Sequence, residues 1–375
     1  MRKIMVCLLA PILLLPLSGC WNYSELNERT IIAGAAIDLT ESGEVMLTAE
    51  AAEFHAQDAP SAKSALLTGR GESLGAAIYD ITNQSGRELY WDQAALLIVS
   101  SRYAERGIRE LLDYILDEHS LRLTLLLAVS RLETAAEVYT RKIHGDDIRS
   151  YAMTDIIQEE SRLGKTVQAD AREIIDRYLE PGVEFALPQI LSDAGRGKET
   201  VDVTGCGVFR EDKLVGWLDR DATECLQILS GKAERVEIDL LVETTHITVE
   251  TRNWKTKMKP AVQDGRVVTA MELRADYEVL MTDGSVDAQT PEGTAKVNAA
   301  LSRYMEGNVA CMWDSLRMAA SDVTGVGKRL WQREPARFRA LGDWAPVFCR
   351  SEAAVYSHFR NATVLSDGRA LLYEK

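Results

Sequence analysis

Hydrophobic positions in this chain fall into unbroken apolar runs, strict alternations and stretches with a period near 3.6, and each pattern predicts a different element. Ile31 to Leu39 reads as a buried strand, and Glu44 to Ala51 alternates after a Ser42-Gly43 turn, so the two predict a hairpin. Residues 55–70 are mixed and turn-rich. From Gly71 the period becomes helical, with Leu74, Ala77, Ile78 and Ile81 on one face and Ser73 placed to cap it. A short strand at Leu89–Trp91, an apolar strand at Ala94–Val99, an amphipathic helix through Ile108, Leu111, Leu112 and Ile115, and an apolar strand at Leu123–Val129 follow, an order that predicts a βαβ unit.

From about 133 to 182 the periodicity is helical in three pieces, broken near Gly145 and Gly164, a candidate helical subdomain. A strand at Val183–Leu191 precedes Ser192-Asp193-Ala194-Gly195-Arg196-Gly197-Lys198, the clearest linker, where the main domain boundary is expected. Beyond it, Val201–Phe209 and Leu214–Leu218 alternate around a turn, and a short helix carries Cys225, Leu226 and Leu229. Strand candidates at Val236–Val242, His246–Trp254 and Val267–Leu280 lead to the longest helix, Pro291 to Asp322, with proline in its first turn. Gly325 and Gly327 break it, a shorter helix holds Leu330 and Trp331, and strands at Ala353–Leu365 and Arg369–Tyr373 close the chain. The expected class is mixed α/β of the α+β type and multidomain: residues 20–195 form an N-terminal α/β region and residues 200–375 a C-terminal α+β domain with a long helix.

The first nineteen residues fit neither unit. Arg2-Lys3 precedes an apolar run from Ile4 to Leu17, too short for the roughly 20 residues of a spanning helix, and reads as a secretory signal. Leu17-Ser18-Gly19-Cys20 matches the bacterial lipobox, which places cleavage between Gly19 and Cys20 and makes Cys20 an S-diacylglycerol, N-palmitoyl cysteine. Two or more long acyl chains, at about 0.8 kcal/mol per buried methylene, hold a protein on a bilayer durably. An ordinary cleaved signal with a chance cysteine, or an uncleaved apolar segment, is the alternative.

The chain has 375 residues and a net charge of −14, which becomes −16 once residues 1–19 are removed, a poor balance for nucleic acid. Beyond Cys7 and Cys20, the cysteines Cys206, Cys225, Cys311 and Cys349 are widely spaced, without a metal signature; buried free thiols and a single disulfide both remain open. Gly71-Glu72-Ser73-Leu74-Gly75 satisfies the G-x-S-x-G pattern of a hydrolase elbow. Too few strands precede Ser73 to build the sheet an elbow needs, which favours the helix cap. The histidines His55, His119, His144, His246 and His358 are scattered, and Asp146-Asp147 suits a helix start better than a metal. Gly325-Val326-Gly327-Lys328 lacks the length and the Ser or Thr of a phosphate loop. Lys255, Lys257 and Lys259 around Trp254 suit either a solvated strand face or anionic headgroups, and Trp331, Phe338, Trp344 and Phe348 either a partner surface or core. No catalytic site, cofactor site or metal site is expected.

The chain resembles the Ger(x)C family, the lipoprotein C subunits of GerA-type nutrient germinant receptors of endospore-forming bacteria. The resemblance begins at Gly19-Cys20-Trp21-Asn22, continues through Glu25-Leu26-Asn27, Ile37-Asp38-Leu39, Gly71-Glu72-Ser73-Leu74, Leu89-Tyr90-Trp91 and Arg106-Gly107-Ile108, and resumes at Gly205-Cys206-Gly207-Val208-Phe209 and Lys213–Leu218. Ser321-Asp322-Val323-Thr324-Gly325-Val326-Gly327 and Trp344 resemble its closing motif. The resemblance implies three mixed α/β domains and a non-enzymatic subunit anchored through Cys20 on the outer leaflet of the spore inner membrane. It also implies A and B membrane subunits as partners, and leaves open whether this subunit touches the nutrient. An extracytoplasmic solute-binding lipoprotein, with a cleft between two similar lobes, is the competing reading.

Overall fold

The computed structural model describes residues 29–55, 61–143, 147–192, 200–284 and 286–362. The signal, Gly19 and Cys20, the stretch 193–199 and the expected strand at 369–373 lie outside them.

Among the described residues, nine strands build the first sheet. These are β1 (Arg29–Leu39), β2 (Val45–His55), β3 (Ser61–Gly71), β4 (Glu88–Tyr90), β5 (Leu96–Ser100), β6 (Leu126–Ser130), β7 (Ala186–Ser192), β8 (Val201–Arg210) and β9 (Lys213–Leu218), in the order β3-β2-β1-β5-β6-β7-β8-β9 with β4 beside β1. β1, β5, β6 and β7 run parallel. They read as continuous apolar runs because helices cover both faces. The βαβ unit is present: β5 leads through α2 (Ser101–Arg106) and α3 (Arg109–Asp117) to the parallel strand β6.

Two features differ from the sequence pattern. Ser61–Gly71, most of it within the stretch 55–70 that reads as turn-rich, is a full strand, because its register with β2 from Val45↔Gly71 to His55↔Ser61 supplies the order that its own β propensity lacks. The first sheet also takes strands from both sides of residues 193–199, since β7 and β8 pair antiparallel from Ala186↔Val208 to Ser192↔Val201.

The helices divide between the faces. α1 (Leu74–Ser85), α3 and α5 (Ala171–Leu179) bury Leu74, Ile81, Leu111, Ile115 and Ile174 against one side. A 3-10 turn (Ala135–Thr140) and α4 (Arg149–Arg162) bury Val138, Met153 and Ile157 against the other. The 133–182 stretch is thus distributed over both faces of the sheet.

The second sheet has the order β10 (Arg235–Val242), β11 (Thr245–Gln263), β12 (Arg266–Thr282) and β13 (Glu352–Asn361), with β13 parallel to β12. β11 extends past Trp254 because Lys255, Lys257 and Lys259 occupy its solvent face, Lys259 donating to Glu272 at 2.6 Å. Over the other face lies α7 (Pro291–Ala319), capped by Thr290, with Val297, Leu301, Met305, Val309, Met312 and Leu316 buried. α6 (Arg220–Ser230) packs against α7 and also touches β8, β9 and β11. Cys206, Val208 and Leu218 of the first sheet therefore share one apolar cluster with Cys225 of α6 and Ile238 and Met271 of the second.

Two buried carboxylates on distant strands fix helical starts: α4 has no local side-chain cap, and the 3-10 turn keeps its Thr134–Glu137 capping box as well. Asp38 accepts from the Ala135 and Ala136 N–H groups at 2.7 and 3.1 Å, and Glu50, fully buried, accepts from the Arg149 and Ser150 N–H groups at 2.8 Å each. Free N–H groups at a helix start need such partners. Glu50→Ala leaves both donors of α4 without one and is expected to cost about 2–4 kcal/mol in urea unfolding, with Glu50→Gln losing less.

Candidate functional site

α7 ends at Ala320, a left-handed cap with φ 51°, and the chain turns through Ser321–Gly325 into α8 (Val326–Arg333). Asp322 sits in that turn and is 1 % exposed. Its Oδ1 accepts from the Thr324 hydroxyl at 2.7 Å and the Gly325 and Val326 N–H groups at 2.9 and 3.2 Å; its Oδ2 accepts from the Gly327 N–H at 2.8 Å and the Trp344 indole at 3.1 Å. The N-terminus of α8, a ready anion site, is thus filled by the chain's own carboxylate. Burial holds the Asp322 carboxyl above the ordinary range while these donors pull it down.

Residues 180–185, between α5 and β7, bring the first sheet to this turn. The Lys328 N–H donates to Gly182 O at 2.7 Å, and Glu184 N–H to Asp322 O at 3.0 Å. Gly182 has φ 72°, and a Cβ there would stand 2.7 Å from the Gly327 carbonyl carbon; a Cβ on Gly327 would meet the Trp344 ring at 2.4 Å. Only two glycines let these backbones touch. Arg177 donates from one nitrogen to Glu184 O at 2.9 Å and Val323 O at 3.0 Å, and Lys328 pairs with Glu180.

A cleft of about 800 Å³ opens beside this contact, lined by Glu184, Arg210, Asp322, Trp344, Cys349 and Arg350. Among its carboxyls, Glu184 is the one shifted into the neutral range. Burial pushes the carboxyl up to about 7, although its Oε2 accepts the Glu211 N–H at 2.7 Å, and the nearby Asp322 charge adds to the rise. The cleft combines a carboxyl that changes charge near neutrality with two guanidinium groups, a setting for a small polar ligand or a partner loop.

Other residues singled out by the sequence lie apart from this cleft. Ser73 caps α1, its Oγ accepting from the Ala76 N–H at 3.1 Å, and the strand before it is antiparallel at the sheet edge, unlike a hydrolase elbow. Cys206, Cys225, Cys311 and Cys349 are free thiols; burial pushes Cys206 up to about 12 and raises Cys225 as well. Among the described residues, no group of three or more His, Cys, Asp and Glu side chains could hold a metal ion. His144 and Asp146 fall outside them. The aromatic cluster is core: Phe348 is fully buried, 5.3 Å from Trp313 and 6.4 Å from Trp344 between ring centroids, and Phe338 lies 5.3 Å from Trp344. Sequence patterning missed Glu184, Arg210 and Arg350. Their one local signal is an acid between Val183 and Phe185 at the entry to a buried strand.

The closing motif and Trp344, far apart in sequence, thus meet on one carboxylate. Residues 22–191 match the family described as spore germination protein N-terminal domain, and residues 204–360 match that described as spore germination B3/GerAC like, C-terminal. The chain belongs to the GerAC-like family of spore germination proteins. Spore germination protein B3 of Bacillus subtilis (strain 168) is 22 % identical over 68 % of this chain and 69 % of its own length. Spore germination protein KC of the same organism is 20 % identical over 90 % of both chains. The crystal structure of the GerBC protein shares the fold, with a TM-score of 0.56 at 18 % identity, covering 88 % of this chain and 96 % of that one. The two family regions meet at the stretch between β7 and β8, although the first sheet draws strands from both.

The native pKa of Glu184, about 7, lies above its ordinary value of 4.5, so the folded protein holds this proton more tightly than the unfolded chain. That contribution is present in full below about pH 4.5 and is lost as the pH rises to about 7. Glu184→Gln removes the loss and keeps an acceptor for Glu211. Thermal melts are expected to show the variant more stable than the parent at pH 8, by about 1–3 kcal/mol, and equal to it at pH 4.5. Gly327→Ala, which drives a methyl into Trp344, is expected to lower stability at every pH.

Proposed function

We propose that this GerAC-like protein is the lipid-anchored C subunit of a nutrient germinant receptor. In this reading the thioether and amide chains on Cys20 hold it on the extracytoplasmic face of the spore inner membrane, beside membrane-embedded A and B subunits. It serves there as a binding or scaffold component without catalysing a reaction. The observation that carries the reading is the succession along one chain of a lipobox at Leu17–Cys20 and two spore-germination family regions over 22–191 and 204–360. The names of the B. subtilis relatives, spore germination proteins B3 and KC, point the same way. Among the described residues no helix is long and apolar enough to cross a membrane, so an acyl anchor would supply the attachment.

The solute-binding alternative requires two similar α/β lobes around a cleft. The two sheets are unlike: nine strands of mixed direction with helices on both faces, against four long strands under one long helix. That difference favours the receptor reading.

A C-terminally tagged chain recovered from dormant-spore membranes is expected to co-purify A- and B-type membrane subunits, and deletion of its gene, with no second copy present, to abolish the response to nutrient. Cys20→Ala is expected to move the protein from the membrane to the soluble fraction and to weaken the co-purification. Recovery of transport proteins alone, unchanged by Cys20→Ala, would overturn the assignment.

A further inference from the structure

A second cleft, of about 500 Å³, is walled by Arg131 just after β6 and by Gln189 and Leu191 in the C-terminal part of the parallel strand β7. In open α/β sheets this is the end at which strands stop and ligands bind, and the volume is that of a small-molecule site. Both halves of the chain wall it: Arg131 follows β6, Gln189 is in β7, Thr204 in β8 and Trp217 in β9, while Arg220 opens α6 and Asn308 projects from α7.

Three features of this cleft make poor sense for folding alone. Gln189 is 5 % exposed, yet its Oε1 has no hydrogen-bond partner among the described residues, and Thr204 Oγ1, beside it at the bulge between Pro188 and Ile190, has none either. Buried polar atoms left in this way cost about 1–3 kcal/mol each, and native proteins keep few of them. The Arg131 guanidinium lies over the Trp217 ring, 4.8 Å from its centroid, and is exposed. Arg131 forms no ion pair among the described residues, while Arg220 has the buried Glu224 carboxyl within electrostatic reach.

The chemistry of a complementary ligand follows. A guanidinium held flat on an indole presents its edge for two parallel hydrogen bonds to a carboxylate. The Gln189 amide exchanges Oε1 and Nε2 by rotation about its last torsion, so it can accept from a hydroxyl or amino group seated in the cleft. Asp221, also on the cleft wall, favours a positive or donor group at that end, while Asp219 is engaged in capping α6 through the Ala222 N–H at 2.9 Å. We infer that this cleft binds a small organic carboxylate carrying a hydroxyl or amino donor, with Arg131 on the carboxylate and Gln189 and Thr204 on the donor. The receptor reading is not needed for this, because binding is read on the isolated chain and the receptor assignment on co-purification.

The test uses the full chain purified in detergent. Amino-carboxylates (the protein amino acids) and hydroxy-carboxylates (lactate, malate, citrate) are titrated at millimolar concentration against melting temperature and tryptophan fluorescence, with acetate and chloride as controls. At least one compound is expected to raise the melting temperature saturably and to slow alkylation of the exposed Cys311 thiol on the cleft wall. Arg131→Met, which keeps the stem over Trp217, is expected to weaken that binding at least tenfold. Gln189→Leu is expected to abolish it while leaving the ligand-free protein as stable as the parent or more so, an outcome that a purely structural glutamine would not give. No response to any compound beyond the acetate and chloride controls, or binding unchanged in both variants, would overturn the inference.

Discussion

A carboxylate buried against the free N–H groups of a helix start is the interaction on which this fold depends most. Asp322 provides it for α8, Glu50 for α4 and Asp38 for the 3-10 turn at Ala135. Each satisfies donors that would otherwise be stranded in the apolar interior, and Asp38 and Glu50 do so from a distant strand. These bonds therefore set position as well as stability: a helix can dock only where its N-terminus meets the acid. Asp322 acts within its own turn, and its second oxygen reaches Trp344, which carries the aromatic core of the C-terminal half.

The two halves are joined by more than a linker. β8 and β9 follow the expected boundary in sequence but complete the first sheet, and their inner residues enter the cluster formed by α6, α7 and the second sheet. Backbone contact between Gly182 and Gly327 closes the junction on another side, with Arg177 bridging Glu184 and Val323. The two family regions divide between residues 191 and 204. Hydrogen bonding and burial divide elsewhere, because an exposed edge at β7 would invite pairing and β8 occupies it.

The junction cleft and the cleft beside β6 and β7 both exist because the halves meet. Glu184 and Arg210 come from one side of the first and Trp344 and Arg350 from the other; Arg131 and Gln189 face α7 across the second. A relative movement of the halves would alter both at once.

Much of this protein was legible in its sequence because the information is local. Apolar runs marked the parallel strands, the period of 3.6 marked α1, α3 and α7, Ser73 marked the cap of α1 and Pro291 the first turn of α7, and family motifs from Ile37-Asp38-Leu39 to Ser321–Gly327 marked the family. The rest was decided by pairings between distant positions, which no window of sequence contains. Ser61–Gly71 is a strand only because β2 lies beside it. β11 runs on through three lysines because one face of a sheet tolerates charge while the other is covered by α7. Asp38 and Glu50 look like ordinary strand acids until the helices they cap arrive about a hundred residues later. Glu184, Arg131 and Gln189 acquire their chemistry in the same way. Burial and unpaired charge are properties of what surrounds a side chain, and those surroundings exist only once the two sheets have closed on α6 and α7.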